Sequence, residues 1–126
     1  MKKIVLNASF FLIGLILCQN INAYNLRQIS NHDGLSNSAI LSICQDKDGF
    51  LWFGSCDGLN MFNGLSIRVY KPTDEKNNLS GNLIENVLET EDGILWVYTN
   101  YGLNRLDKRT KKIDSFNQFK GRYLIQ

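Results

Sequence analysis

The stretch from Leu35 to Gly64 recurs, without a gap, as Leu79 to Lys108. Leu35, Ser36, Ile40, Asp48, Gly49, Leu51, Trp52, Gly58, Leu59 and Asn60 return as Leu79, Ser80, Ile84, Asp92, Gly93, Leu95, Trp96, Gly102, Leu103 and Asn104, at a constant offset of 44 residues. A fixed period constrains the fold more than composition does. Each unit is one supersecondary element, and a unit that cannot cover its apolar surface alone must stack on a like neighbour.

Each repeat parses as four short strands. In the first they fall near Ala39–Gln45, Phe50–Gly54, Leu59–Phe62 and Ser66–Tyr70, with turns at Asp48-Gly49, at Gly58 and at the hairpin signal Asn63-Gly64. In the second they fall near Leu83–Glu89, Ile94–Tyr98, Leu103–Leu106 and Lys112–Phe116, with turns at Asp92-Gly93 and Gly102 and a longer third turn, Asp107-Lys108-Arg109-Thr110. A period of about 40–50 residues, rich in strand and turn signals, is the mark of propeller blades. The expected fold class is all-β. Residues 35–78 and 79–126 form two four-stranded antiparallel β-propeller blades. Two blades do not close a ring, so the chain reads as part of a longer array.

The second strand of each repeat makes the physical case. Phe50, Leu51, Trp52 and Phe53 are apolar in succession, as are Ile94, Leu95, Trp96 and Val97. Side chains alternate faces along a strand, so both faces of each sheet are apolar and both need a cover. Burying one Phe or Leu contributes about 1.5–3 kcal/mol. An uncovered face therefore costs an amount comparable with a small domain's whole stability, about 5–15 kcal/mol. Trp52, Trp96, Phe50, Leu51 and Leu95 are the expected core.

The N-terminus reads as a secretory signal over residues 1–23. Lys2 and Lys3 lead an apolar run from Ala8 to Cys18, and Ile21-Asn22-Ala23 offers a cleavage site. The run is short of the about 20 apolar residues a membrane span needs. Loss of the two lysines takes the net charge from +2 to about zero, which argues against a nucleic-acid partner. Residues 24–34 form a leader. Its Tyr24–Ser30 portion is either a strand that joins a last blade to close a ring, or a frayed end. Cys44 and Cys56 remain after cleavage and have no counterparts in the second repeat, which favours free thiols over a disulfide. No Cys/His spacing suggests a metal, and no cofactor motif is present.

Individual motifs read blandly. Asp46-Lys47-Asp48-Gly49 lacks the remainder of a calcium loop and reads as a turn. His32, the sole histidine, has no catalytic company and sits before the turn signal Asp33-Gly34. The basic run Arg105, Lys108, Arg109, Lys111, Lys112 straddles a turn and reads as solvated. The loop between the second and third strands differs most between copies, Ser55-Cys56-Asp57 against Thr99-Asn100-Tyr101. It opens at one end of a propeller. Asp57, Asn100 and Tyr101 are therefore the candidate contacts to a polar ligand. No residues form a catalytic set.

Asp33-Gly34-Leu35-Ser36-Asn37-Ser38, Gln45-Asp46-Lys47-Asp48-Gly49-Phe50-Leu51-Trp52-Phe53-Gly54-Ser55 and Asp57-Gly58-Leu59-Asn60 resemble the two-component regulator propeller repeat. Leu79-Ser80, Asp92-Gly93-Ile94-Leu95-Trp96-Val97 and Gly102-Leu103-Asn104-Arg105-Leu106 look like its next copy, with Tyr98 where the first copy has Gly54. The resemblance implies the periplasmic sensor of a hybrid two-component system in a polysaccharide-degrading bacterium. Its propeller has about seven blades, and the whole protein is membrane-anchored, dimeric and a histidine kinase. Its expected partners are the remaining blades and an oligosaccharide ligand. No kinase histidine, nucleotide site or receiver aspartate is present to carry over, so no enzyme activity is expected of these residues themselves. Two other readings are a lectin-like exported module that builds a ring by oligomerising, and a piece of a secreted propeller glycosidase or lyase. The latter needs acidic residues converging on the axis, and only Asp57 qualifies.

Overall fold

Turn chemistry divides each repeat into four strands, and the computed structural model pairs them in sequence order. It describes residues 25–75 and 78–116, together with Ala8, Ser9, Leu12 and Ile13. The signal segment's remaining positions and the tail 117–126, read above as the end of the second blade, lie outside the described residues. The first sheet holds β1 (Ile40–Gln45), β2 (Leu51–Ser55), β3 (Gly58–Phe62) and β4 (Ile67–Tyr70). The second holds β5 (Ile84–Glu91), β6 (Ile94–Thr99), β7 (Gly102–Asp107) and β8 (Ile113–Phe116). Each is an antiparallel meander. Among the described residues no helix is long and apolar enough to cross a membrane.

Residues 25–30 pair with neither of the two sheets. Arg27 instead lies over the Phe62 ring, 5.4 Å from its centroid, and donates to Gly64 O at 3.2 Å. A 3₁₀ turn, Asn31–Asp33, follows, capped by Ser30. His32 is exposed.

The sheets meet through their first strands, with β5 beside β1 and β2. The register places Cys44, Trp52, Leu59, Met61 and Tyr70 on one face of the first sheet. Ile84, Val87, Leu95, Val97, Leu106 and Ile113 cover that face from the second, and the two sets form the core. Leu79, in the connection after β4, joins it.

The repeat supplies its own control on burial. Trp52 faces the second sheet and is 3% exposed. Trp96 stands at the equivalent position, faces away from the first sheet and is half-buried. Val87 is buried on the shared face, whereas its counterpart Ile43 points the other way and is 65% exposed. Leu95 is buried and its counterpart Leu51 half-buried. These three pairs differ according to whether the other sheet lies over them. Phe50 corrects the expected core. It precedes β2, lies 38% exposed at the mouth of the space between the sheets, and is not enclosed.

Gly54 and Tyr98 differ for the same reason. A Cβ on Gly54 would lie 2.8 Å from Ile84 Cγ2 and 3.0 Å from Ile84 O, so the close approach of the second sheet requires glycine there. Tyr98 stands on the uncovered face and is exposed.

Candidate functional site

The recurrent Ser and Asn build a brace that fixes the loop end of each sheet. Asn60 Oδ1 accepts from Ser36 N at 2.9 Å, and Asn60 Nδ2 donates to Ser36 Oγ at 2.9 Å and to Phe53 O at 3.4 Å. Ser36 Oγ lies 2.9 Å from Ser55 Oγ, which donates to Gly58 O. The second repeat copies this with Ser80, Asn104 and Thr99. Asn60, Asn104, Ser55 and Thr99 are all buried. The brace is structural: its polar atoms are spent on each other and on the backbone.

Beyond the brace lie Cys56-Asp57 and Asn100-Tyr101, the turns carrying the three candidate ligand contacts. They share one end of the two sheets, but Asp57 is already engaged. Its Oδ2 accepts from Lys71 Nζ at 2.7 Å and its Oδ1 from Asn82 Nδ2 at 3.3 Å. Those two donors hold its carboxyl below the ordinary carboxylate range. Asp57 therefore clasps the connection between the blades, next to the bond from Gly58 N to Asn82 O at 2.7 Å. Asn100 and Tyr101 are exposed, with the Asn100 amide bound to Leu83 O at 3.1 Å. No described contact joins Asp57 to either. Cys44 and Cys56 are free thiols. Among the described residues no cluster of His, Cys, Asp or Glu is arranged to hold a metal.

The other end of the sheets carries a cluster that sequence reasoning missed. Lys108 Nζ lies 2.9 Å from Asp46 Oδ2, 2.7 Å from Glu89 Oε2 and 3.1 Å from Asp48 Oδ2. The side chains of Lys108, Asp46 and Glu89 are only 10%, 0% and 4% exposed. Lys108 is thus no solvated turn residue: it reaches from the second sheet into carboxylates of both. Asp46 also accepts from the Trp52 indole at 2.8 Å and from the Phe50 and Asp48 amides. Burial works against charge on Asp46, but the indole, the ammonium and the Phe50 amide outweigh it and lower its pKa. Burial likewise opposes the Lys108 ammonium, and the Glu89, Asp46 and Asp48 carboxylates reverse this and raise its pKa well above the ordinary lysine value. A signal was available in the sequence. Asp46 stands where the second copy has Thr90, and Lys108 where the first has Gly64. The two departures from the repeat meet in space.

Outside this cluster the diverging sheets leave a wedge-shaped cleft of about 310 Å³. Phe50, Met61 and Tyr70 line it, with Trp52 behind, and Arg68, Arg109 and Lys111 stand at its rim.

Comparison with known proteins agrees with this geometry. Residues 34–57 match the family described as "Two component regulator propeller". The Histidine kinase P4 of Formosa agariphila is 42% identical over 67 residues, which are 53% of this chain and 5% of that protein. Among solved structures, the extracellular domain of the proposed hybrid two component system BT3049 from B. thetaiotaomicron superposes with a TM-score of 0.66 at 33% identity, over 71% of this chain and 13% of that one. The extracellular domain of BT4673 from the same organism, described as a proposed one component system, gives 0.59 at 28% identity, over 74% of this chain and 14% of that one. The chain therefore spans a small part of each relative's length. The resemblance read from Asp33–Asn60 stands on a family match and on a shared fold.

Proposed function

We propose that these two blades belong to the ligand-sensing propeller of a two-component signal transduction regulator, exported to the periplasm, whose ligand is an oligosaccharide. One observation carries the reading. Two copies of a 44-residue unit stack face to face in the arrangement found in extracellular domains of two-component proteins. Further blades are the natural cover for the outer faces that carry Ile43 and Trp96. Exposed Asn100 and Tyr101 present an amide and a phenol at the loop end and are the proposed contacts there, while Asp57 holds the blades together. Kinase chemistry belongs to other domains of the anchored, dimeric parent. The test is genetic. In the native host, in-frame removal of both repeats is expected to abolish oligosaccharide-induced transcription while the protein still reaches the membrane. Induction that survives their removal would overturn the reading.

A further inference from the structure

Blades that meet through their inner strands diverge outwards, and here the wedge is not filled at the turn end. Its volume, about 310 Å³, falls in the range of small-ligand sites. The walls are chemically divided. Phe50, Met61 and Tyr70 offer an apolar floor, the Phe50 ring being 38% exposed. Arg68 on β4 lines it from the first sheet, and Arg109 and Lys111 in the β7–β8 turn line it from the second. None of the three makes an ion pair among the described residues.

The exposed groups without ion pairs at the rim of the cleft are mostly basic. Lys108 and Asp48 also border it, within the clasp in which Lys108 meets Asp46, Asp48 and Glu89. Asp92 is the one rim carboxylate without an ion pair. Outside that clasp, three cations and one carboxylate without ion pairs surround an aromatic floor. Arg109 is also placed: its Nε lies 3.5 Å from where a Cβ on Gly93 would stand, so the guanidinium rests along the β5–β6 turn at the mouth. A guanidinium held there can bind a carboxylate or sulfate through two parallel N–H bonds. Pyranose rings carry an apolar face of C–H groups that suits the Phe50 and Tyr70 rings.

We infer that this interblade cleft is a binding site for an acidic saccharide, a sugar bearing a uronate or a sulfate ester. Arg68, Arg109 and Lys111 receive its anionic groups, and Phe50 and Tyr70 receive its ring. The inference rests on the oligosaccharide-sensing reading and adds to it the chemical class of ligand. It also places a site at the end of the sheets opposite Asn100 and Tyr101.

The full chain would be titrated by calorimetry with three probes of equal length: a uronate oligosaccharide, a sulfated oligosaccharide and a neutral one. Indole fluorescence would be followed in parallel, because Trp52 borders the cleft and Trp96 does not. The expected result is binding of an acidic probe, a change in Trp52 emission, and loss of roughly 10- to 100-fold in affinity in Arg109→Gln. Arg68→Gln provides an independent second variant from the first sheet. Both side chains are exposed, so circular dichroism should be unaltered. Uronate against sulfate separates the two anion chemistries. Equal binding of the neutral probe, or acidic binding that both variants leave unchanged, would overturn the inference while leaving saccharide sensing in place. Failure of all three probes would overturn both.

Discussion

At the residue scale the buried cluster around Lys108 decides most. Removing one member of a buried charged set strands its partners, which costs about 3–5 kcal/mol. Lys108→Met is therefore expected to lower stability by about that amount in denaturant melts, because Asp46 and Glu89 stay enclosed. Lys111→Met, at an exposed position, is expected to change it by less than about 0.5 kcal/mol. The cluster also fixes the pH profile. Asp46 has a depressed pKa, so its contribution is full above the ordinary value of 3.8 and is lost as pH falls through the lower folded value. Lys108 has a raised pKa, so its contribution is full below the ordinary value of 10.5 and is lost only as pH rises through the higher folded value. Stability should be level between about pH 5 and 9 and fall on both flanks. In Lys108→Met the alkaline decline due to this group should vanish, which melts across the pH range would show.

At the scale of elements, Asn60 and Asn104 each tie a loop to its own sheet. Asn104→Ala would leave the Ser80 amide and the carbonyl of Val97 without their side-chain partner, at a cost of about 1–3 kcal/mol. The expected signature is faster hydrogen exchange at the Ser80 amide, with Asn60→Ala doing the same at Ser36. The strands were legible in the sequence because their ends are chemical: Asp48-Gly49, Gly58 and Asn63-Gly64 mark turns whatever the sheet packs against. One boundary moved for a physical reason. Asp46 accepts two turn amides and ends β1, whereas Thr90 does not, and β5 continues to Glu91. Recurrence of Ser36 and Asn60 was visible, but not their hydrogen bonds. Phe50 was misread because alternation tells which face a side chain takes, not whether that face is roofed at its rim. Lys108 was misread because its partner Asp46 is 62 residues away on another sheet, a distance at which local pattern is silent.

For the whole molecule, the contrast between Trp52 and Trp96 measures what an adjoining blade contributes. Ile43 on one outer face and Leu88 on the other are 65% and 56% exposed. Apolar faces of this kind seek partners in water. The isolated chain is expected to self-associate reversibly, with weight-average mass rising with concentration in sedimentation equilibrium. Ile43→Lys combined with Leu88→Lys should shift it towards monomer. A wild-type chain that stays monomeric at high micromolar concentration would contradict this account of the outer faces.

Within the clasp, the Asp46–Lys108 contact joins an acid of the first repeat to a base of the second, and neither repeat holds both of these positions: Gly64 occupies the basic one in the first, Thr90 the acidic one in the second. The joint is therefore keyed and has a direction. A blade swapped into the wrong slot would bring the right grease and the wrong lock, so charge at a single turn can dictate the order in which otherwise interchangeable units line up.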